Sequence, residues 1–263
     1  MISVLSVNYR SGSDLAGLAE SIAAHLGRDP VELVVTNNSP EERLTLPSSS
    51  ALPIRILSSA NIGYAAGINL AFRHSRGDII LIANPDLRIR PQCFDLAAAF
   101  LRENAGVGLV LPLLRDPSGR VQPSARRFYT WPTVLYARSP LRWLKWKPAF
   151  FRRYLGEGLD RGGPTPVDWG LGGAMFLRRR DCGDHAIFDE RFFLYFEDVD
   201  LCYRMWSRGL SVMYCPQCEC LHAHRRTSRN PFSRAGYHHL RSLCAFILKY
   251  RGLPRRPDFP LDA

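Results

Sequence analysis

The first hundred residues alternate short apolar runs with amphipathic stretches, and that alternation sharply limits the folds open to this chain. Residues 2–7, 31–35, 54–57, 78–83 and 107–111 read as strands. Residues 14–26 place Leu15, Leu18, Ile22 and Leu26 at helical spacing. Residues 63–76 read as a second helix stopped by Gly77, and Pro91 suits the first turn of a third that runs to about Glu103. This order predicts an α/β fold with a mostly parallel sheet and helices on both faces. Ligands of such sheets bind beyond the carboxyl ends of the strands. Asn8, Asn37 and Asn84-Pro85-Asp86 all fall at such ends, so one rim is expected to carry them.

The chain has 263 residues, 46% hydrophobic and 22% charged, which supplies a core and excludes a disordered polymer. No apolar run approaches the roughly 20 residues needed to cross a bilayer. The best late stretch, residues 245–248, is closed off by Lys249 and Arg251. The chain start lacks a basic region and reads as a strand rather than a signal peptide. Seven cysteines, an odd number without a secretory signal, predict a reduced, cytosolic compartment. The formal charge of +11 is unevenly placed. From Arg126 to Arg153 there are Lys and Arg but no Asp or Glu, interleaved with Trp131, Trp143, Trp146, Phe150 and Phe151. Such a stretch suits an anionic membrane surface, a polyphosphate or nucleic acid. Its plainer reading is a solvated face whose aromatics belong to the core. One integrated domain is expected: residues 1–115, a Pro-, Arg- and Trp-rich excursion or cap over 116–166, and a second half over 167–263. That half closes on a helix over about 231–250.

Two acidic motifs carry the chemistry. Asn84-Pro85-Asp86 follows an apolar strand, and the proline keeps Asn84 out of the helical region. Asp86 at that edge offers a carboxylate to Mg2+ or Mn2+, with diphosphate oxygens and water completing the shell. An Asx turn that merely ends the strand fits the same residues. The second motif, Glu197-Asp198-Val199-Asp200, opens a helix with the apolar stripe Leu201, Cys202, Met205 and Trp206, stopped by Gly209. Acids in a first turn are stabilised by the helix dipole. That explains one or two of them, but not the aromatic run 192–196 before them. Those rings can wall an acceptor site and raise a carboxylate's pKa toward the range of a general base.

Two further segments are less specific. Residues 61–69 open a helix with Asn61, Gly63, Gly67 and Asn69 among small side chains, which permits close approach of a ligand. Tight helix–sheet packing accounts for them equally, and the glycine spacing is not the dinucleotide fingerprint. Cys215, Cys218, Cys220, His222 and His224 crowd together, but no second CxxC pair follows. Alternation at 218, 220, 222 and 224 favours one face of an extended segment, with a histidine as ligand or phosphate contact.

Taken in order, these motifs resemble the family 2 glycosyltransferases, in particular their bacterial rhamnosyltransferase-like branch. The match runs through Val7-Asn8-Tyr9, Asn37-Asn38-Ser39, the 61–69 segment, Asn84-Pro85-Asp86, residues 172–179 and residues 188–204, and ends on Pro216 and His222. The resemblance implies a GT-A fold, with a nucleotide-sugar-binding half over 1–115 and an acceptor-binding, catalytic half over 167–263. It implies an inverting transfer from a nucleoside-diphosphate sugar. Asp198, beside Glu197, matches the general base. Asp86 matches the last aspartate of the family's metal motif, and His222 a histidine near metal or diphosphate. Asn8, Tyr9, Asn37, Asn61, Gly63, Asn69 and Asn84 match the region around the nucleotide and its sugar. Relatives open the Asn37 stretch with aspartate, where this chain has Thr36. The branch implies rhamnose from dTDP-rhamnose and a lipid-linked or cell-surface polysaccharide acceptor. The enzyme is then expected in the cytoplasm, in peripheral contact with the anionic inner face of the plasma membrane. A nucleotide-sugar-binding module without turnover is an alternative. A basic nucleic-acid-binding protein is another, although no nucleic-acid motif supports it.

Overall fold

The computed structural model describes residues 1–47, 49–143, 146–159, 162–183, 185–223 and 234–256. The strands are β1 Ile2–Asn8, β2 Val31–Asn37, β3 Ile54–Ser58, β4 Ile79–Ala83, β5 Leu87–Ile89, β6 Val107–Arg115, β7 Ala125–Arg126, β8 Thr165–Pro166, β9 Trp169–Gly170, β10 Ala174–Arg178 and β11 Ser211–His222. The helices are α1 Gly12–Ala24, α2 Tyr64–Arg73, α3 Cys93–Glu103, α4 Trp131–Arg138, α5 Ala149–Tyr154, α6 Glu197–Ser207 and α7 Arg234–Tyr250.

One sheet dominates, in the order β3-β2-β1-β4-β10-β6-β11-β5. β3, β2, β1 and β4 are parallel, and β1, β2 and β4 are buried along their whole length. β10 then enters antiparallel between β4 and β6. A strand from the second half of the chain is thereby built into the sheet of the first. Side chains sort into two clusters on the sheet's two faces, one against α1 and α3, the other against α2, α6 and α7. Burial on both faces removes most of the strands' apolar area from water, at roughly 25 cal/mol per Å2.

Several boundaries differ from the sequence expectation, among them the end of the second helix at Arg73 and of β6 at Arg115. Pro91 lies in a turn before α3, and Gln92, with φ of 63°, makes the entry. The late strand expected over 211–214 continues to His222 as β11, crossing Pro216 at a register shift between Cys215 and Glu219. The shift lets the strand pass a residue that cannot donate to the ladder. The excursion after β6 holds α4 and α5, and its last residues, Thr165–Pro166, pair with β11. The closing helix is described from Arg234 to Tyr250; its expected start at 231 and His224 lie outside the described residues.

Candidate active site

The site lies at the carboxyl ends of β1, β2 and β4. Asn8 is fully buried, and its Nδ2 donates to Asn37 Oδ1 at 2.9 Å and to Glu42 Oε2 at 2.7 Å. Its Oδ1 accepts from the Ser11 amide at 3.1 Å and hydroxyl at 2.9 Å. Asn37 Oδ1 also takes the Ser39 amide at 3.0 Å. The two asparagines are therefore struts that shape the strand ends, while Tyr9, 49% exposed, projects from them. Thr36 is buried and donates its hydroxyl to Gly67 O at 2.7 Å, locking β2 to α2. The carboxylate at this rim comes instead from Glu42, which also accepts the Gly12 amide at 3.0 Å. Nothing in the sequence singled out Glu42, because it sits in a loop of ordinary polar composition.

At the mouth of α2, Gly63 has φ of 90°, and a Cβ there would lie 2.7 Å from Phe193 O. Only glycine fits this approach without strain. The next amide, of Tyr64, donates to that same carbonyl at 2.8 Å. Asn61, exposed, caps the turn by accepting the Gly63 amide at 3.2 Å. Asn69 is placed differently from its expected position beside the nucleotide. It is fully buried within α2, its Nδ2 donating to Phe188 O at 2.8 Å and Glu190 Oε1 at 3.0 Å. Its Oδ1 accepts the Ile187 and Phe188 amides at 2.9 and 3.0 Å. Both ends of the amide are thus committed to the segment leading toward α6.

Asp86 and His222 are brought together although far apart in sequence. Antiparallel pairing of β11 with β5 sets His222 opposite Leu87, and His222 Nε2 lies 3.3 Å from Asp86 Oδ1. Gln122 fixes the imidazole. Its Nε2 donates to His222 O at 2.6 Å, which leaves its Oε1 to face His222 Nδ1 at 3.0 Å. A carbonyl can only accept, so Nδ1 carries a proton. Nε2 faces the Asp86 carboxylate, and an imidazole beside a carboxylate is a donor set that suits a divalent cation. Gly173 keeps the space open, since a Cβ there would stand 3.1 Å from Nε2. One carboxylate and one imidazole fit Mg2+ or Mn2+ shared with a diphosphate, rather than an all-protein cage. No group of three or more His, Cys, Asp or Glu able to hold a metal occurs among the described residues. Cys218 and Cys220 share the buried face of β11 with His222, Cys220 Sγ lying 3.5 Å from Cys93 Sγ. Burial pushes the neighbouring Cys215 thiol up to about 12, so these are core side chains.

Opposite stands the acidic start of α6. Tyr195 and Phe196 both have positive φ, 68° and 69°, and they swing the helix mouth into place. Asp198 is half-buried; its Oδ2 accepts the Gly172 amide at 3.0 Å and its Oδ1 the Val199 amide at 2.8 Å. Burial pushes its pKa up to about 6, against these amides and the nearby Arg126 guanidinium, which pull it down. Glu197 is buried, with Oε2 lacking a hydrogen-bond partner, and burial together with the Asp198 charge holds it well above the carboxylate range. The pair therefore offers one neutral acid and one carboxylate poised near neutrality. Asp200, by contrast, faces inward and is taken by Arg204, Lys249 and Tyr250.

Tyr64 joins the two centres. Its hydroxyl lies 3.1 Å from Asn84 Oδ1 and 3.2 Å from Gly172 O, so one phenol bridges the Asp86 turn and the Asp198 loop. Burial raises its pKa well above the usual range, and Glu197, Asp198 and Asp86 add to the rise. Above the base, Tyr129 stacks on Trp169 and Phe196 at 5.5 and 5.4 Å, and Arg126 lies 5.4 Å over Trp169. Tyr64, Gln122 and Arg126 were not marked by the sequence. Tyr64 stood within a quoted motif, but the other two lie in an excursion without periodicity.

A mixed α/β sheet with a nucleotide-binding rim and a carboxylate across from it defines the GT-A class of glycosyltransferases. The chain belongs to glycosyl transferase family 2, whose family model matches residues 3–161. The N-acetylglucosaminyl-diphospho-decaprenol L-rhamnosyltransferase of Mycobacterium tuberculosis is 29% identical over 283 aligned positions, covering 98% of this chain and 87% of the relative. Among solved structures, GalNAc-T7 with UDP, GalNAc and Mn2+ superposes with a TM-score of 0.63 at 13% identity, over 92% of this chain. This chain spans about half of that one, 47%. The mannosyltransferase PcManGT from Pyrobaculum calidifontis, in complex with GDP-Man and Mn2+, gives 0.57 at 16% identity, over 94% of this chain and 64% of the other. These two likenesses show the fold.

Proposed function

We propose that this glycosyltransferase inverts configuration as it moves rhamnose from dTDP-rhamnose to a lipid-diphosphate-linked acceptor at the inner face of the plasma membrane. The observation that carries the reading is Tyr64, whose hydroxyl ties the Asp86 turn to the loop holding Asp198. An inverting displacement needs a leaving-group site and a base on opposite sides of the anomeric carbon. Asp198 accepts the proton of the acceptor hydroxyl as its oxygen attacks that carbon, and the bond to the nucleoside diphosphate breaks. Gly172 and Val199 amides orient the carboxylate, and Glu197 stays neutral beside it. Asp86 and His222 would hold Mg2+ or Mn2+, which neutralises charge growing on the departing diphosphate. Donor sugar and acceptor class are supported by the name of the mycobacterial relative, and the metal by those of the two structural neighbours.

Calorimetry with dTDP-, UDP- and GDP-sugars, with and without Mn2+, tests the reading. Metal-dependent binding of dTDP-rhamnose is expected, and Asp86→Ala should weaken it. Asp198→Asn should bind the donor normally and lose transfer by roughly 100-fold or more. Wild-type transfer by Asp198→Asn, or no binding of any donor by folded protein, would overturn it.

A further inference from the structure

The cap formed by α4, α5 and the segment between them leaves unusual side chains in water. Among the described residues twelve large hydrophobic side chains are exposed, and five of them fall between Trp131 and Phe150. They are Trp131 at 55%, Leu135 at 67%, Leu141 at 55%, Trp146 at 70% and Phe150 at 40%. Single exposed apolar residues are ordinary, but a cluster marks an interaction surface. Leu141, Trp146 and Phe150 gather around one residue. Tyr136, buried, donates its hydroxyl toward Leu141 O at 3.3 Å and Trp146 O at 3.1 Å, and Phe150 meets its ring edge-on at 5.9 Å. Trp131 and Leu135 lie one turn apart on the same helix. Lys147, Arg152 and Arg153 are exposed beside them, and no acid occurs from Arg126 to Arg153.

We propose that this cap is a docking surface for an anionic phospholipid bilayer, its Trp and Leu side chains entering the interface while Lys147 and Arg153 meet lipid phosphates. Exposed tryptophans with flanking cations match the chemistry of the headgroup region, where an amphipathic ring has one apolar and one wet side. A bilayer needs no shaped groove, and the charge along the cap is of one sign, with no acid from Arg126 to Arg153. Its placement gives the contact a use. The cap's inner residue Tyr129 stacks on Phe196, the residue before Glu197 and Asp198, so a lipid-held acceptor would meet the base at the membrane-facing side. That use rests on the proposed acceptor, whereas the binding itself needs neither donor nor acceptor.

Sedimentation of the full chain with phosphatidylglycerol vesicles and with phosphatidylcholine vesicles reads the contact directly. Binding to the anionic vesicles is expected, weakening as salt rises. Lys147→Gln with Arg153→Gln should lower the partition coefficient by roughly thirty-fold, at about fivefold per cation. Trp146→Ser with Leu135→Ser should lower it at high salt as well, since the apolar part is not screened. Both pairs should keep transfer to a water-soluble acceptor analogue, which separates failure of docking from failure of the catalytic assignment. Leu248→Ser, on α7 and 80% exposed, serves as a control and should bind normally. Equal binding by wild type and the double variants overturns the proposal. So does loss of binding in Leu248→Ser alone, or a concentration-dependent dimer that the cap variants abolish in the absence of vesicles.

Discussion

Arg126 shows how one side chain tunes the base. Its Nη1 donates to the Tyr154 hydroxyl at 3.1 Å, and its guanidinium lies over the rings of Tyr154 and Trp169 at 5.5 and 5.4 Å. Pairing of β7 with β9 puts Arg126 directly opposite Trp169, three residues before the Gly172 amide that holds Asp198. The cation favours the ionised form of Asp198 and lowers a pKa that burial has raised. The proposed transfer uses that form, so activity should fall as pH drops through about 6. Arg126→Gln keeps the stem and a donor but removes the charge, and the acid limb of the pH–rate profile should move to higher pH. A limb that stays put, or moves down, would sink this role. The common rim of Asn8, Asn37 and Asp86 was legible because each follows a buried strand of a mostly parallel sheet. Gln122 and Arg126 were not, since their partners are set by a long connection whose path no local pattern specifies.

At the scale of elements, Asn69 is the instructive case. In sequence it stands among small residues at the start of α2, which suits a nucleotide contact. In the fold α2 packs its buried face, with Ile68 and Phe72, against the core, and Asn69 falls where that face meets residues 187–190. An amide that donates twice and accepts twice there joins α2 to the approach of α6. Asn69→Ala should destabilise the protein by about 3 kcal/mol, read by urea denaturation, because several buried groups lose partners at once. Donor affinity should change little; a large loss of donor binding with unchanged stability would return Asn69 to the nucleotide. The same connection carries the strained pair Tyr195 and Phe196, whose positive φ values each cost on the order of 1 kcal/mol. Packing of Phe196 between Tyr129 and Phe246, at 5.4 and 5.7 Å, holds the strain in place. The parallel strands were readable because short, mainly apolar runs alternate with helical spacing over the first hundred residues. The insertion of β10 between β4 and β6 was not, since its five apolar residues fit any buried neighbour.

In the whole molecule, burial of the Glu197 and Asp198 carboxyls is an expense that the rest of the fold offsets. Burial raises the pKa of Asp198 from 3.8 to about 6, and Glu197 rises with it. The sign of the linkage follows directly. Below about pH 4 both states carry these groups protonated, and no penalty exists. As pH rises toward 6 the unfolded chain ionises them first, so stability falls. Above the folded pKa the penalty from Asp198 is constant, and it is at most about 3 kcal/mol, since one pKa unit is worth 1.36 kcal/mol and partial exposure reduces it. Removing the charge should therefore stabilise the protein while abolishing transfer. At pH 7.5 Asp198→Asn should raise the Tm by about 2–5 °C, because 1 kcal/mol corresponds to a few degrees at this size. Glu197→Gln should also raise it, its amide replacing a buried carboxyl whose Oε2 has no hydrogen-bond partner. At pH 4 the gain should vanish for both. The fold carries the load elsewhere: Asp200, fully buried, binds Arg204 of its own helix and Lys249 and Tyr250 of α7, clamping the last helix to the one that bears the base. If Asp198→Asn instead lowered the Tm at pH 7.5, the two amides it accepts would matter more than its desolvation, and the carboxylate would be a structural anchor rather than a base held in reserve.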